Sequence, residues 1–409
     1  MDSVSKSLRL HLVICGRINA GKSSLLNLIS GQDIAITSPR RGTTSDVVEK
    51  TMELRPLGAV VVLDTAGIDD NSALGDKRLE KTAKAVDKAD AVLLTVIPGI
   101  WDDTENTVVN MARERNIPLI VIANTRQDSP FAVMPPFEGK VISVCAVDPE
   151  QRTKFLDHLT ATLIELLPES KLEQPFLHDL LPADSLAVLM TPIDSQAPKG
   201  RLIMPEVMAI RDILDGNAVC IVAKEDQFPS IYEKLTEKPA LVVCDSQVVH
   251  RMINSTSPEI RQTTFSILMS RLKGDINEFA AGCAVIEKIT PGDKILIAEA
   301  CTHHADKNDI GKVQIPQLLE KKCGGKLNFN FCSGTDFPAD IASYRLIVHC
   351  GGCMLNRRAM LNRLRTAARA GVPVCNYGMC IASCRGVIEK VLSPFPEALA
   401  AYRDNLNAD

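Results

Sequence analysis

An α/β architecture in successive domains is what this sequence predicts, and three observations carry it. Residues 8–15 form an apolar run that enters a glycine-rich turn, Gly16-Arg17-Ile18-Asn19-Ala20-Gly21-Lys22-Ser23, and a helix-spaced segment follows. Short apolar runs of strand length then alternate with amphipathic stretches along the chain, the pattern of parallel strands covered by helices. Late in the chain, Cys301-Thr302-His303 and His349-Cys350-Gly351-Gly352-Cys353 each follow such a run. The carboxyl ends of strands are where open α/β sheets place ligands.

Bulk properties bound the reading. A chain of 409 residues is long for one core and points to several domains. Hydrophobic content of 45% with 23% charged residues suits a globular protein. A net charge of −4 argues against a broad nucleic-acid footprint, so no nucleic-acid partner is expected. The 13 cysteines do not follow a secreted disulfide framework. Met1-Asp2-Ser3-Val4-Ser5 lacks the basic region and apolar core of a secretory leader, and no apolar run reaches the roughly 18–20 residues that span a bilayer. A reducing, cytoplasmic setting without membrane contact is the expectation.

The first element is the strand at 8–15, and the helix after it is spaced by Leu25, Leu26, Leu28 and Ile29. That context makes the glycine turn a P-loop, whose backbone N–H groups hold phosphates at a helix N-terminus. Gly16, Asn19, Ala20, Gly21, Lys22, Ser23 and Ser24 form the candidate cradle. Lys22 is placed for the β- and γ-phosphates and Ser23 for Mg²⁺. Gly42-Thr43-Thr44 offers a second Mg²⁺ contact at Thr44. The strand at 60–63 runs into Asp64-Thr65-Ala66-Gly67, where Asp64 would hold Mg²⁺ through water and the Gly67 amide would sense the γ-phosphate. Asp-x-x-Gly alone means nothing; on the next strand after a P-loop it gains meaning.

Base recognition follows the strand at 118–123. Asn124 opens the expected Asn-Lys-x-Asp, but the chain continues Thr125-Arg126-Gln127-Asp128, which sets the acid one position late. A carboxylate pairing two guanine donors discriminates strongly against adenine, so guanine selectivity rests on a displaced Asp128. Cys145 and Ala146, at the end of a further strand, offer backbone contacts to the base. Residues 10–146 resemble the tRNA-modification-type (TrmE-like) GTPases through residues 16–24, Gly42-Thr43-Thr44-Ser45-Asp46 and Asp64-Thr65-Ala66-Gly67-Ile68. The resemblance implies GTP hydrolysis with Mg²⁺, and a K⁺ ion held by Asn19 in place of an arginine finger. Ile68 stands where Ras-like enzymes carry a water-orienting glutamine, so unaided hydrolysis should be slow.

A helix at 153–167 closes the first domain, 1–168. Apolar runs at 186–190, 218–222 and 240–244 alternate with helical stretches near 204–214 and 227–236, a small α/β unit without a catalytic constellation. A domain lacking chemistry suggests assembly, and residues 169–266 are read as a dimerisation domain forming a homodimer. Cys220 and Cys244 fall inside its apolar runs as small core residues.

The last domain, 267–409, starts with a helix at 276–289. Strands at 293–298 and 344–348 then end at the two cysteine groups, and a helix follows from about 354 to 370. Thiolates suit an iron–sulfur cluster and zinc alike. Cys301, Cys350 and Cys353 with a weakly held fourth position fit a [4Fe–4S] cluster; a Cys₃His zinc site and plain structural cysteines are the rivals. His303 and His349 are candidates for the fourth ligand or for hydrogen-bond donors to sulfur. Cys323, Cys332, Cys375, Cys380 and Cys384 match no cluster spacing and are expected to pack.

Taken together, the P-loop, the middle unit and the Cys-x-His…His-Cys-x-x-Cys pattern resemble the [FeFe]-hydrogenase maturation GTPase family, HydF, over essentially the whole chain. The resemblance implies a scaffold. It would carry a [4Fe–4S] cluster, receive a di-iron precursor from radical-SAM maturases and deliver it to apo-[FeFe]-hydrogenase. The alternative is a TrmE-like RNA-modification or ribosome-associated GTPase with structural zinc. The predicted fold class is α/β, a P-loop GTPase domain followed by two smaller α/β domains.

Overall fold

Leu12, Val13, Ile14 and Cys15 are all fully buried, the mark of a strand covered on both faces. They form β1 (Leu10–Gly16), at the middle of the first sheet. The computed structural model describes residues 6–31, 48–68, 75–125, 135–167, 175–192, 202–300, 309–334, 337–338 and 340–408. They divide into two compact units, Met1–Glu173 and Gln174–Asp409.

In the first unit β1 is followed by α1 (Lys22–Ser30), β2 (Val48–Leu54), β3 (Gly58–Asp64), α2 (Gly75–Val86), β4 (Ala91–Val96), α3 (Asp103–Glu114), β5 (Leu119–Asn124), β6 (Lys140–Val144) and α4 (Arg152–Leu166). The sheet order is β2-β3-β1-β4-β5-β6. Only β2 runs antiparallel to its neighbour, and every other pairing is parallel. Alternation along β1 sends Leu12 and Ile14 into one core with α1 and α4, and Val13 and Cys15 into the other with α2 and α3. The ends of β1, β3, β4 and β5 thus lie beside the P-loop.

The second unit carries two sheets. The first is built from β7 (Leu186–Met190), α5 (Met204–Asp215), β8 (Val219–Ala223), α6 (Phe228–Lys234), β9 (Leu241–Cys244), α7 (Val249–Ser255) and β10 (Arg261–Thr264), in the order β10-β9-β7-β8. Then come α8 (Phe265–Lys273), α9 (Ile276–Ala284), β11 (Lys294–Ala298), α10 (Ile315–Cys323), β12 (Asn328–Cys332), β13 (Leu346–His349), α11 (Arg357–Arg369), β14 (Val374–Asn376), α12 (Tyr377–Cys384), α13 (Ile388–Leu392) and α14 (Pro396–Asn407). The second sheet is ordered β12-β11-β13-β14, all parallel. One continuous core runs through both sheets, because α8 packs against α5 as well as against α11 and α12. Among the described residues, packing is therefore continuous between the two sheets of this unit.

The α/β class expected from the sequence is what the chain adopts. Several strands escaped the apolar pattern, among them β2, which reads Val-Glu-Lys-Thr-Met-Glu-Leu. β10 reads Arg-Gln-Thr-Thr, with Thr263 and Thr264 fully buried. β12 is an edge strand of alternating Asn and Phe, and β14 has three residues. The helix expected over 276–289 ends its α form at Ala284 and continues as a 3₁₀ turn, Val285–Lys288. The one expected from 354 starts at Arg357, because the Asn356 side chain caps it by accepting from the Ala359 N–H at 3.0 Å.

Candidate functional site

At the nucleotide end, the P-loop is shaped by two left-handed residues, Asn19 at φ 62 and Gly21 at φ 90. The buried Lys22 Nζ donates to the Gly16 and Arg17 carbonyls at 3.1 and 2.6 Å, inside the loop that would cradle phosphate. Ser23 and Ser24 lie in the first turn of α1 beside Ala20 and Gly21. Ser23 Oγ donates to Asp64 Oδ2 at 2.8 Å, while Asp64 Oδ1 is buried with no hydrogen-bond partner among the described residues. Burial holds the Asp64 carboxyl above its ordinary range, against the pull of Ser23 and Lys22. A hydroxyl and an orphaned carboxylate oxygen side by side are the donor set that Mg²⁺ takes. Gly67 touches the same loop: a Cβ there would stand 2.6 Å from the Ile18 nitrogen.

Asn124 ties two loops together. Its Nδ2 donates to the Ala20 carbonyl at 2.9 Å and its Oδ1 accepts from the Ala146 N–H at 3.0 Å. The Cys145 N–H donates to Gln151 Oε1 at 3.0 Å, so both backbone N–H groups proposed for the base are engaged within the chain. Thr44 and Asp128 lie outside the described residues.

Arg17 escaped the sequence reading. Its Nε and Nη2 donate to the two carboxylate oxygens of Glu105 at 2.6 and 2.8 Å, and it also pairs with Asp102. Glu105 is 1% exposed and accepts the Asp102 N–H at 3.0 Å, closing a capping box on α3. The Asp102-x-x-Glu105 spacing was legible as a helix start; the arginine that joins it to the P-loop was not.

At the cysteine end, sheet register aligns the groups. Ala298 of β11 stands opposite His349 of β13, and His349 opposite Asn376 of β14. Cys350 is the first residue past β13, and its Sγ accepts from the Ala300 N–H at 3.1 Å. That contact brings the residue next to Cys301 onto the Cys350 sulfur. Cys353 is largely enclosed, and burial pushes its thiol up against the opposing pull of Lys273. Lys273 is itself buried and donates to the Leu355 carbonyl at 2.8 Å. Gly352, at φ 68, makes the turn between the two cysteines, and a Cβ there would meet Met360 Cε at 2.4 Å.

His349 is 1% exposed, and both of its ring nitrogens are engaged. Nε2 accepts from Arg363 Nη1 at 2.8 Å, which leaves Nδ1 to donate to the Cys350 carbonyl at 2.8 Å. Burial and the adjacent Arg363 push its pKa down to about 3. To ligate a metal it would give up one of these bonds. Cys301, His303 and His304 lie outside the described residues, and among the described residues no three His, Cys, Asp or Glu side chains are arranged to hold a metal. Two thiols at one strand end, with a third adjoining Ala300, nevertheless fit a soft metal or an iron–sulfur cluster in donor chemistry.

The remaining cysteines of this unit sit in the packing. Cys375 and Cys380 are fully buried. Burial leads in holding the Cys375 thiol protonated, and the Cys384 hydrogen bond leads for Cys380.

Comparison with known proteins gives three consecutive matches. Residues 11–125 match the family model described as 50S ribosome-binding GTPase, residues 176–274 the hydrogen maturase F dimerization domain, and residues 277–394 the hydrogen maturase F tetramerization domain. The tRNA modification GTPase MnmE of Zymomonas mobilis is 44% identical over 85 residues, covering 20% of this chain and 19% of that protein. The MnmE of a Synechococcus strain is 42% identical over 123 residues, covering 29% and 26%. The chain thus spans between a fifth and about a quarter of the length of these curated relatives. Among solved structures, a point variant of Aquifex aeolicus Era bound to GDP·AlF₄⁻ aligns over 52% of this chain and 92% of its own at 19% identity, TM-score 0.34. No helix among the described residues is long and apolar enough to cross a membrane.

Proposed function

The chain belongs to the hydrogen maturase F family, and from that premise we propose that it is a GTPase-coupled iron–sulfur scaffold for [FeFe]-hydrogenase maturation. The observation that carries this reading is the strand-end site in the second unit: Cys350 and Cys353 follow β13, and the Ala300 N–H reaches the Cys350 sulfur. In this reading Cys301, Cys350 and Cys353 hold a [4Fe–4S] cluster, with His303 or His349 as fourth ligand or as a donor to sulfur. Bound there, the cluster supplies an iron position with an exchangeable ligand. The chain's own contribution is electrostatic: Lys273 beside Cys353 offsets the charge of thiolates held away from water. The cargo is a di-iron precursor, taken from radical-SAM maturases and passed to apo-hydrogenase in the cytoplasm.

In the first unit, GTP is the substrate and GDP and phosphate the products. Lys22 and the P-loop N–H groups hold the phosphates, Ser23, Asp64 and Thr44 the Mg²⁺, Asn19 a K⁺, and Gly67 reports the γ-phosphate.

Assembly is supported by the open edge of the first sheet in the second unit. β8 is an edge strand whose Val219 and Val222 are 54% and 41% exposed. Leu202, Val207 and Leu214, from the same stretch of chain, are exposed too. An apolar edge with no neighbouring strand among the described residues is what a second copy would cover, so residues 169–266 are proposed to form the homodimer and residues 267–409 to bind the cluster.

Anaerobic reconstitution of the full chain, with iron and sulfide counted beside EPR, tests the reading. A brown protein with the iron and sulfide of a [4Fe–4S] cluster is expected, and Cys350→Ala or Cys353→Ala should abolish it. A colourless protein holding zinc would overturn it in favour of a TrmE-like RNA-modification GTPase.

A further inference from the structure

Two buried donors at the carboxyl end of β14 have no hydrogen-bond partner among the described residues: the Tyr377 hydroxyl and the Asn376 Nδ2. Their residues are 8% and 1% exposed. Buried polar groups in folded chains are nearly always paired, so an orphan asks for an absent partner. The register says where that partner belongs. Asn376 stands opposite His349 across β13 and β14, which sets Tyr377 at the same sheet edge as Cys350, the residue after His349.

The surroundings of the hydroxyl narrow the choice. A Cβ added to Gly311 would lie 2.2 Å from Tyr377 Oη and 2.6 Å from Glu299 Oε1. The bare glycine therefore leaves room for the hydroxyl beside Glu299, next in sequence to the Ala300 whose N–H reaches Cys350 Sγ. A phenol keeps its proton at neutral pH, so the buried Tyr377 hydroxyl is available to the site as a donor. Asn376 caps the start of α12, the helix that carries Tyr377: its Oδ1 accepts from Ser266 Oγ at 2.9 Å and from the Gly378 N–H at 2.8 Å.

We propose that Tyr377 Oη donates a hydrogen bond to a sulfur of the iron–sulfur group held at Cys350, and so acts as a positioning residue that sets the cluster's potential. The proposal rests on the cluster reading given above. A neutral donor to sulfur draws electron density from the cluster and favours its reduced form.

The test compares the full-length chain with its Tyr377→Phe variant, each reconstituted anaerobically and assayed for iron and sulfide. Equal loading is expected, with a lower reduction potential in the variant, shifted g values in the reduced state, and loss of one exchangeable-deuteron coupling after transfer to D₂O. Before loading, the variant should be at least as heat-stable as the parent, because the deleted hydroxyl has no partner among the described residues. A loaded variant with the parent's potential and g values would overturn the proposal, as would a folded variant that takes up no iron. If the parent itself takes up no cluster, the scaffold reading falls and takes this proposal with it.

Discussion

Lys22 shows how much one side chain can carry. Its Nζ is enclosed by carbonyls of the loop it serves, in the first unit, whereas Cys350 and Cys353 belong to the second. Lys22→Ala should therefore slow GTP hydrolysis by about 100-fold or more, as loss of a preorganised transition-state donor does. Iron loading should be unchanged; a folded variant that cannot load iron would break the modular reading. Asn19 is held at φ 62, a conformation asparagine tolerates. If it binds K⁺, hydrolysis will run faster in KCl than in NaCl at equal ionic strength, and Asn19→Ala will erase the difference. Guanine selectivity is the expectation placed on Asp128. GTP should outcompete ATP in a displacement titration, and equal affinities would mean that the late acid does not reach the base. His349 poses the opposite case, a candidate ligand whose two nitrogens are already engaged. His349→Ala should keep a cluster with altered EPR.

Between elements, an ion pair joins the P-loop to α3. Arg17 meets both oxygens of a buried Glu105, and removing one partner leaves the other charge partly enclosed. Glu105→Ala should cost roughly 3 kcal/mol in denaturant unfolding and weaken nucleotide binding by slackening the loop. Glu105→Gln, which retains the shape and part of the hydrogen bonding, should cost less. The β8 edge is the other exposed dependency. Val222→Lys places a charge where a second strand would pair and should convert a dimer to monomers in sedimentation velocity while leaving the hydrolysis rate of the first unit intact. An unchanged dimer would place the interface elsewhere.

Across the whole molecule, the P-loop and the late cysteine groups sit in two units of one chain, and their separation was legible along the sequence. The P-loop, the Asp64 strand and the cysteine groups are local signals: a few adjacent residues whose chemistry needs only a strand before them and a helix or turn after. Strands such as β1 and β11 were legible because continuous apolar runs have no stable place except between two covering layers. By the same logic β10, with its buried threonines, was hidden: its burial comes from neighbours, not from its own apolarity. Contacts between distant segments were decided only by folding. Arg17 finds Glu105, Arg363 finds His349, and the Ala300 N–H finds Cys350 through strand order and register. Folding also joined the two later sheets in one core through α8 and left the Tyr377 hydroxyl without a hydrogen-bond partner among the described residues, at the sheet edge that carries Cys350. A sequence specifies which groups are present and how they are spaced along the backbone. Which of them meet across a sheet depends on how all the apolar faces are buried at once, a condition no local segment contains.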